Sequence, residues 1–357
     1  MPQIDSLVRN LPPGSLDVVG DVHGECAAML DLLCQLGYDK CGSHPQGRKL
    51  VFVGDLCDRG PDSVQVIRVV RGMVEVGHAF AILGNHELNL LRADAKDGSG
   101  WFFDERLERD ERYQPFARPS ALERRQILDF LAGLPLVLER SDLRVVHAAW
   151  QGKEIGSIRA VQGITASDLF VQYEEALKVA LRNDGSYQRY QNAVSAHREE
   201  LEDPSFPMPF LEAIAVHDGA SQLGNAVKVL TSGVERRAAQ PFFSSHKWRF
   251  VERVGWWDAY QDAIPVLVGH YWRRAIASDR SAVGKGDKDL FAGIGPAAWH
   301  GLRKNVFCVD FSVGGRWHER QAKTPLGLIY KLAAMRWPER ELVFDTGERM
   351  MTTEFGG

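Results

Sequence analysis

Short apolar runs that stop at a glycine and open onto acids, histidines or an amide recur along the first part of the chain. Leu16 to Val19 reads as a buried strand and ends in Gly20-Asp21-Val22-His23-Gly24. Leu50 to Val53 is a second such strand and ends in Gly54-Asp55-Leu56-Cys57-Asp58-Arg59-Gly60. Ala79 to Leu83 is a third and ends in Gly84-Asn85-His86-Glu87. Between the first two strands, Ala27, Leu30, Leu32, Leu33 and Leu36 recur at helical intervals, with Gly37 just past the last of them. After Pro61, Asp62 or Ser63 can cap a second helix whose apolar positions include Val66, Val69, Val70 and Met73. Strands that alternate with helices predict an α/β arrangement.

From Leu88 to about Arg118 the pattern breaks down. Asp94 to Arg112 is dense in charge and predicts an insertion over the surface, although it contains Trp101, Phe102 and Phe103. Ser120 and Glu123 form a capping-box signature for a helix to about Leu131. Leu143 to Val146 is β-like and ends in His147-Ala148-Ala149. A long polar stretch from about Thr165 to Leu201 predicts helices forming a lid or flanking lobe. Lys228 to Thr231 reads as a strand before the turn at Gly233, and Trp248 to Val251 as another strand. Val266 to Val268 ends in Gly269-His270, and Asn305 to Val309 ends in Asp310. Leu328 to Met335 and Glu341 to Phe344 read as a hairpin around Trp337-Pro338-Glu339-Arg340. The expected organisation is one domain over residues 14–348, with insertions at about 93–120 and 151–225.

Charge and composition narrow the classes of function. A net charge of -4 gives no global field favouring nucleic acid or an anionic membrane. No stretch approaches the roughly 20 apolar residues of a membrane span. Residues Met1 to Pro13 lack the apolar core of a secretory signal, so the expected location is cytoplasmic. Five cysteines without a Cys-x-x-Cys pair read as small buried apolar residues kept reduced, Cys57 included.

The residues that follow the strands are Asp21, His23, Asp55, Asp58, Arg59, Asn85, His86, His147 and His270. Taken singly, each has an ordinary role. Asp58-Arg59 makes a surface ion pair, Asn85 caps a helix, and His147 or His270 is a hydrogen-bonded core histidine. Those single roles leave their joint placement at successive strand ends unaccounted for. Mixed carboxylate, imidazole and amide donors suit Mn, Fe, Zn or Mg, and there are enough for two ions. Two metals about 3.5–4 Å apart clamp an in-line displacement at phosphorus and lower the pKa of shared water to roughly 7. A histidine outside the metal shell can protonate the leaving oxygen, and an arginine can grip phosphate oxygens by a bidentate pair.

The ordered set Gly-Asp-Val-His-Gly, Gly-Asp-x-x-Asp-Arg-Gly and Gly-Asn-His-Glu, followed by His-Ala and Gly-His, resembles the calcineurin-like metallophosphoesterases. The Asp-Arg-Gly and Asn-His-Glu forms are similar to the phosphoprotein-phosphatase branch, which includes bacterial diadenosine tetraphosphatases and serine/threonine phosphatases. Residues 44–55 are particularly similar to bacterial dinucleoside-tetraphosphatase-like members and to phosphatase domains of bacterial RNA-repair enzymes. The resemblance is dense over about residues 16–92 and thin but ordered beyond.

It implies a mixed α/β fold, a calcineurin-like four-layer αββα sandwich with a dinuclear metal site at the strand ends. Carried over residue by residue, Asp21 and His23 hold the first metal, Asp55 bridges both, and Asn85, His147 and His270 hold the second. Asn85 also faces substrate. His86 is the general acid, oriented by Asp58, and Arg59 binds phosphate. Glu87 and Asp310 take supporting positions. The implied cofactors are two divalent ions, manganese first, with Fe, Zn, Co or Mg as other choices.

The expected reaction is hydrolysis of a phosphate ester or anhydride by a bridging hydroxide, on a dinucleoside polyphosphate or a phosphomonoester. A protein serine/threonine phosphatase is the alternative, an RNA or nucleotide end-phosphatase the third, and an inactive scaffold on the same fold the reading from a different class. The partner is therefore a phosphorylated small molecule, nucleotide or phosphoprotein. No membrane partner is expected, and the oligomeric state is not legible. Two departures stand out. His147-Ala148-Ala149 replaces the His-Gly-Gly of protein phosphatases. The second phosphate-binding arginine has only Arg273, Arg274, Arg236 and Arg237 as candidates.

Overall fold

The computed structural model describes residues 6–244, 246–276 and 288–356. The strands of the first half are β1 (Val8–Asn10), β2 (Leu16–Val19), β3 (Lys49–Phe52), β4 (Ala79–Ala81), β5 (Val137–Arg140) and β6 (Leu143–Val146). Those of the second half are β7 (Glu235–Ser244), β8 (Lys247–Arg253), β9 (Val266–Val268), β10 (Val306–Cys308), β11 (Ala333–Trp337), β12 (Glu341–Phe344) and β13 (Arg349–Met351). One sheet has the order β13-β12-β11-β2-β3-β4, a second has β1-β5-β6-β9-β10, and β7-β8 is a separate hairpin.

Within the first sheet β2, β3 and β4 are parallel. Parallel neighbours need a crossover, and α1 (Cys26–Leu36) and α2 (Ser63–Glu75) supply the two. The consequence is that the polar turns after these strands emerge on the same edge. β6, β9 and β10 are also parallel to one another and bring the turns at His147, His270 and Asp310 out together.

Side-chain alternation divides each strand between two cores. Leu16, Val18, Val51 and Val53 face the other sheet, where they meet Leu143, Val145, Leu267 and Phe307 in one buried cluster. Val19, Leu50 and Phe52 face outward and join Met29, Leu33, Val66 and Val70 from α1 and α2. Val146 and Val268 share that second cluster with Ile155, Val227 and Leu230 of α5 (Gly152–Arg159) and α9 (Ala226–Ser232). Each such fully buried aliphatic side chain contributes about 1.5–3 kcal/mol. The result is a mixed α/β sandwich of two sheets with helices outside. The remaining helices are α3 (Asn85–Leu91), α4 (Ala121–Ala132), α6 (Ala166–Asn183), α7 (Ser186–Ala196), α8 (Glu212–Leu223) and α10 (Arg316–Ala322). Among the described residues, no helix is long and apolar enough to cross a membrane.

Several local expectations change. Lys228 to Thr231 is helical, within α9, because Asn225 caps the Lys228 N–H and the segment's apolar residues pack on one side. The last hairpin is present, but β11 begins at Ala333 rather than Leu328. Cys34 and Cys41 are exposed rather than buried. Asp62 caps α2 by accepting from Gln65 N–H, while Ser63 Oγ accepts from Asp58 N–H instead. The charge-dense stretch after α3 does not simply lie over the surface. Trp101, Phe102, Asp110 and Tyr113 are buried in it, and its charges pair with one another around those anchors. The polar region after β6 is divided. α5, α6 and α9 join the main core. Leu201, Met208, Ile214, Ala215 and Phe250 form a small core of their own, beside α7, α8 and the hairpin.

Candidate active site

Asp55 lies on the turn that leaves β3 and is 2% exposed. Its Oδ2 has His147 Nε2 at 3.4 Å, His23 Nε2 at 3.8 Å and His86 Nε2 at 3.9 Å. His23, Asp55 and His86 make one group of donors within 4.8 Å of one another, and Asp55, His147 and His270 make another. The shared carboxylate makes this the donor set of a dinuclear divalent-metal site. Electrostatics agree with that chemistry. Burial works against ionising Asp55, but His147 and His86 outweigh it and hold its pKa well below the usual range. Burial likewise opposes protonation of His147, yet Asp55 pushes its pKa up to about 10. Burial lowers the pKa of His23 and His270 well below the usual value.

The imidazoles are oriented from behind. His23 Nδ1 donates to the Cys57 carbonyl at 3.1 Å and His147 Nδ1 to the Val53 carbonyl at 2.7 Å. Each ring therefore turns its Nε2 lone pair toward Asp55, the arrangement that metal-binding histidines use. Asn85, at the start of α3, places Oδ1 2.9 Å from His270 Nδ1 and 3.3 Å from His147 Nε2. His270 Nε2 is buried and has no hydrogen-bond partner among the described residues. Asp21 lies beside the first group rather than within it. Its Oδ2 is 4.0 Å from His23 Nε2 and accepts the His270 N–H at 3.0 Å. Burial and the neighbouring Asp310 raise its pKa well above the usual value.

Asp58 and His86 form a second unit. His86 Nδ1 donates to Asp58 Oδ2 at 2.6 Å, and Trp101 Nε1 donates to Asp58 Oδ1 at 2.6 Å. Burial opposes protonation of His86, but Asp55 and the Asp58 hydrogen bond carry its pKa above the ordinary value. Trp101 was hidden from sequence reasoning by the charges around it.

Backbone geometry shows why glycines and a buried glutamate accompany the ligands. His23, Asp55, Asp58, Arg59 and His270 all have positive φ, a conformation that costs non-glycine residues of order 1–3 kcal/mol each. Glu87 holds the Asp55 turn by accepting N–H groups from Asp55 at 2.8 Å, Leu56 at 2.7 Å and Gly84 at 2.9 Å. Gly84 leaves room for the ligand: a Cβ there would lie 2.1 Å from Asp55 Oδ1. Gly269 does the same for Asp21, whose Oδ1 would be 2.0 Å away. Asp310 accepts from the N–H groups of Trp272 and Ser312, both at 2.7 Å, and so fixes the turn after His270.

The family model described as calcineurin-like phosphoesterase matches residues 15–198. The chain belongs to the calcineurin-like phosphoesterases. Within this family it is similar to the asymmetrical bis(5′-nucleosyl)-tetraphosphatase PrpE of Halalkalibacterium halodurans, at 51% identity over 79 residues, 21% of this chain and 32% of that protein. The PrpE of Anoxybacillus flavithermus is 34% identical over 151 residues, 39% of this chain and 59% of its own. A symmetrical bis(5′-nucleosyl)-tetraphosphatase of Aromatoleum aromaticum is 30% identical over 155 residues, 42% and 51% of the two chains. The match thus spans less than two thirds of these relatives' length. Among solved structures, a protein serine/threonine phosphatase of Saccharomyces cerevisiae aligns with a TM-score of 0.45 at 13% identity, covering 99% of this chain and 85% of the other.

The family match ends before His270, yet the fold carries that residue to the Asp55 cluster. The arginine candidates separate clearly. Arg59 Nη1 donates to His23 Nε2 at 2.8 Å and its guanidinium lies 4.9 Å from the Trp272 ring centre. Arg273 is not accessible to phosphate. It is 2% exposed, donates to the Gly295 and Ala298 carbonyls, and packs 4.4 Å from the Phe307 ring centre. Arg236 and Arg237 are exposed and pair with Glu252 and Glu212. Arg274 instead lines a cavity of about 890 Å³ that also includes Arg59. Sequence reading missed Arg253 and Lys228, which line this cavity too. After burial, Arg253 is the strongest influence lowering the His270 pKa, which places its charge near the centre. A second cavity of about 390 Å³ contains Asn85 and His86 and shares Arg59, Asp97 and Lys228 with the first.

Proposed function

We propose that the protein hydrolyses a phosphate anhydride of a dinucleoside polyphosphate, of the diadenosine tetraphosphate class. The observation that carries this reading is the pair of cavities that meet at Arg59 beside the Asp55 cluster. A long polyanion flanked by two nucleosides needs room on both sides of the scissile phosphate, with cations along the way. Arg59, Lys228, Arg253 and Arg274 supply those cations. The tetraphosphatase relatives, matched over part of their length, support the same substrate class.

In this reading His23, Asp21 and Asp55 hold one ion, and Asp55, Asn85, His147 and His270 hold the other. Manganese is the ion assigned first, and Fe, Zn, Co or Mg also suit this oxygen and nitrogen donor set. When bound, the two divalent ions supply an activated water and neutralise charge at the phosphoryl group. The chain's own residues do the rest. Arg59 grips non-bridging oxygens. His86 is placed to deliver a proton from Nε2 to the leaving oxygen, because Asp58 fixes Nδ1, and Asp55 together with the Asp58 hydrogen bond raises the ring's pKa. Asn85 positions the phosphate at the start of α3. The free thiols at Cys26, Cys34, Cys41, Cys57 and Cys308 fit a reducing, cytoplasmic setting.

The test is a substrate panel at saturating manganese: diadenosine tetraphosphate, a phosphopeptide, mononucleotides and 5′-phosphorylated RNA. The proposal expects diadenosine tetraphosphate to have the highest kcat/KM, with products that identify the bond cleaved. A phosphopeptide turned over faster would replace it with the protein-phosphatase reading.

A further inference from the structure

The large cavity is not lined by cations alone. Trp317 and His318, in the first turn of α10, stack with ring centres 3.5 Å apart and planes 30° from parallel. His318 in turn lies 5.8 Å from Tyr330 at 18°. Arg112 sits 5.2 Å from the Trp317 ring centre, and Tyr113 meets the Trp317 edge at 5.4 Å. Arg274 lies 5.5 Å from the Tyr330 ring centre. All of these residues line the same cavity as Arg59. Trp317 and His318 are only half-buried, so this is not a sealed aromatic core.

The series is anchored to the metal-binding cluster. Gly314 packs so closely on His23 that a Cβ there would lie 2.5 Å from the imidazole Cδ2. Trp317 follows three residues later, across the 3₁₀ turn Val313–Gly315 and the start of α10. Arg59 and Arg274 line the cavity together with these rings, so a polyphosphate held there has a ring surface within the same cavity. His318 already stacks with both Trp317 and Tyr330, so it backs the half-buried Trp317 ring, whose π-surface is of the kind on which any base can stack.

We propose that Trp317 and His318 form a nucleobase-stacking platform for the nucleoside on the large-cavity side of the substrate. The platform rests on the nucleotide reading of the site. It adds a binding element from the C-terminal part of the chain, outside residues 15–198 matched to the family. Burial, with Arg112 and Arg274 nearby, lowers the His318 pKa.

The test compares two inhibitors of aryl phosphate hydrolysis at saturating manganese: ADP, which carries a base, and pyrophosphate, which does not. The readout is the ratio of their inhibition constants in each protein. Trp317→Leu is expected to weaken ADP about tenfold relative to pyrophosphate, the scale of one lost base stack. Trp317→Phe, which keeps a ring, should return the ratio close to wild type. His318→Ala should shift it in the same direction as Trp317→Leu and serves if that variant is insoluble. An unchanged ratio in both ring-removal variants overturns the platform. Turnover of diadenosine tetraphosphate by the wild type separates the two proposals. If it is hydrolysed while the ratio stays flat, the platform falls and the substrate stands. If it is not hydrolysed while the ratio shifts, the substrate falls and the platform stands.

Discussion

Trp101 donates its indole N–H to Asp58 at 2.6 Å, on the carboxylate oxygen opposite the one that holds His86. The charge-dense segment after α3 thereby reaches into the site and fixes the partner of the proposed proton donor. Trp101→Phe keeps the ring but leaves Asp58 Oδ1 buried and short of a donor, which costs about 1–3 kcal/mol. Thermal unfolding should fall accordingly, and kcat should drop about tenfold as the His86 ring loses its fixed orientation. An unaltered kcat would mean that Trp101 serves packing alone.

His86→Asn separates two roles for one ring. As a proton donor, its loss should lower kcat by about 10²–10⁴-fold for poor leaving groups and far less for nitrophenol. Metal content should stay at the wild-type level. His86 Nε2 is also within 3.9 Å of Asp55, so loss of an ion in elemental analysis would make it a ligand instead.

Gly84→Ala tests the fit around the shared carboxylate. The new Cβ would lie 2.1 Å from Asp55 Oδ1 and 2.5 Å from Asp55 N. Neither the turn backbone nor the buried carboxylate has space to retreat. The variant is expected to bind manganese about 10–100-fold more weakly, with far-ultraviolet circular dichroism unchanged. Wild-type affinity in a chelator competition would contradict the tight packing.

The cysteines give a prediction in pH. Burial raises the Cys26 thiol to about 11, and burial with Asp58 and Glu87 raises Cys57 well above its usual value. Cys308 is raised for the same first reason. The reactive thiolate of Cys26 is therefore scarce at pH 8 and grows only as pH rises toward 11. Iodoacetamide at pH 8 should modify exposed Cys34 and Cys41 in the native protein and all five cysteines after denaturation. Rapid native labelling of Cys57 would show that the turn beside Asp55 opens.

What was legible in the sequence was periodicity and punctuation. The runs ending at Gly20, Gly54, Gly84 and Gly269 marked the strands and the turns, because a buried strand that must turn sharply and still present an acid or an imidazole needs a residue without a Cβ at that point. The parallel register of β2, β3 and β4 then brought Asp21, Asp55 and Asn85 to one edge. Trp101, Lys228 and Arg253 could not be read the same way. Trp101 stands among charges, Lys228 sits in an apolar run short enough for a strand or a helix, and Arg253 is one of many arginines. Their positions depend on how segments distant in sequence pack, which no local pattern records. Arg273 shows the converse: next to a ligand in sequence, it is turned away into a cage of carbonyls.

In the proposed function Asp55 joins two metal ions at the site of phosphoanhydride hydrolysis. Metal content measured on wild type and Asp55→Asn, after equilibration with micromolar manganese and alongside diadenosine tetraphosphate turnover, tests it most directly. Two manganese ions per wild-type chain, with occupancy and turnover lost together in the variant, are the predicted result. Full occupancy in Asp55→Asn, or turnover independent of metal in the wild type, would contradict it.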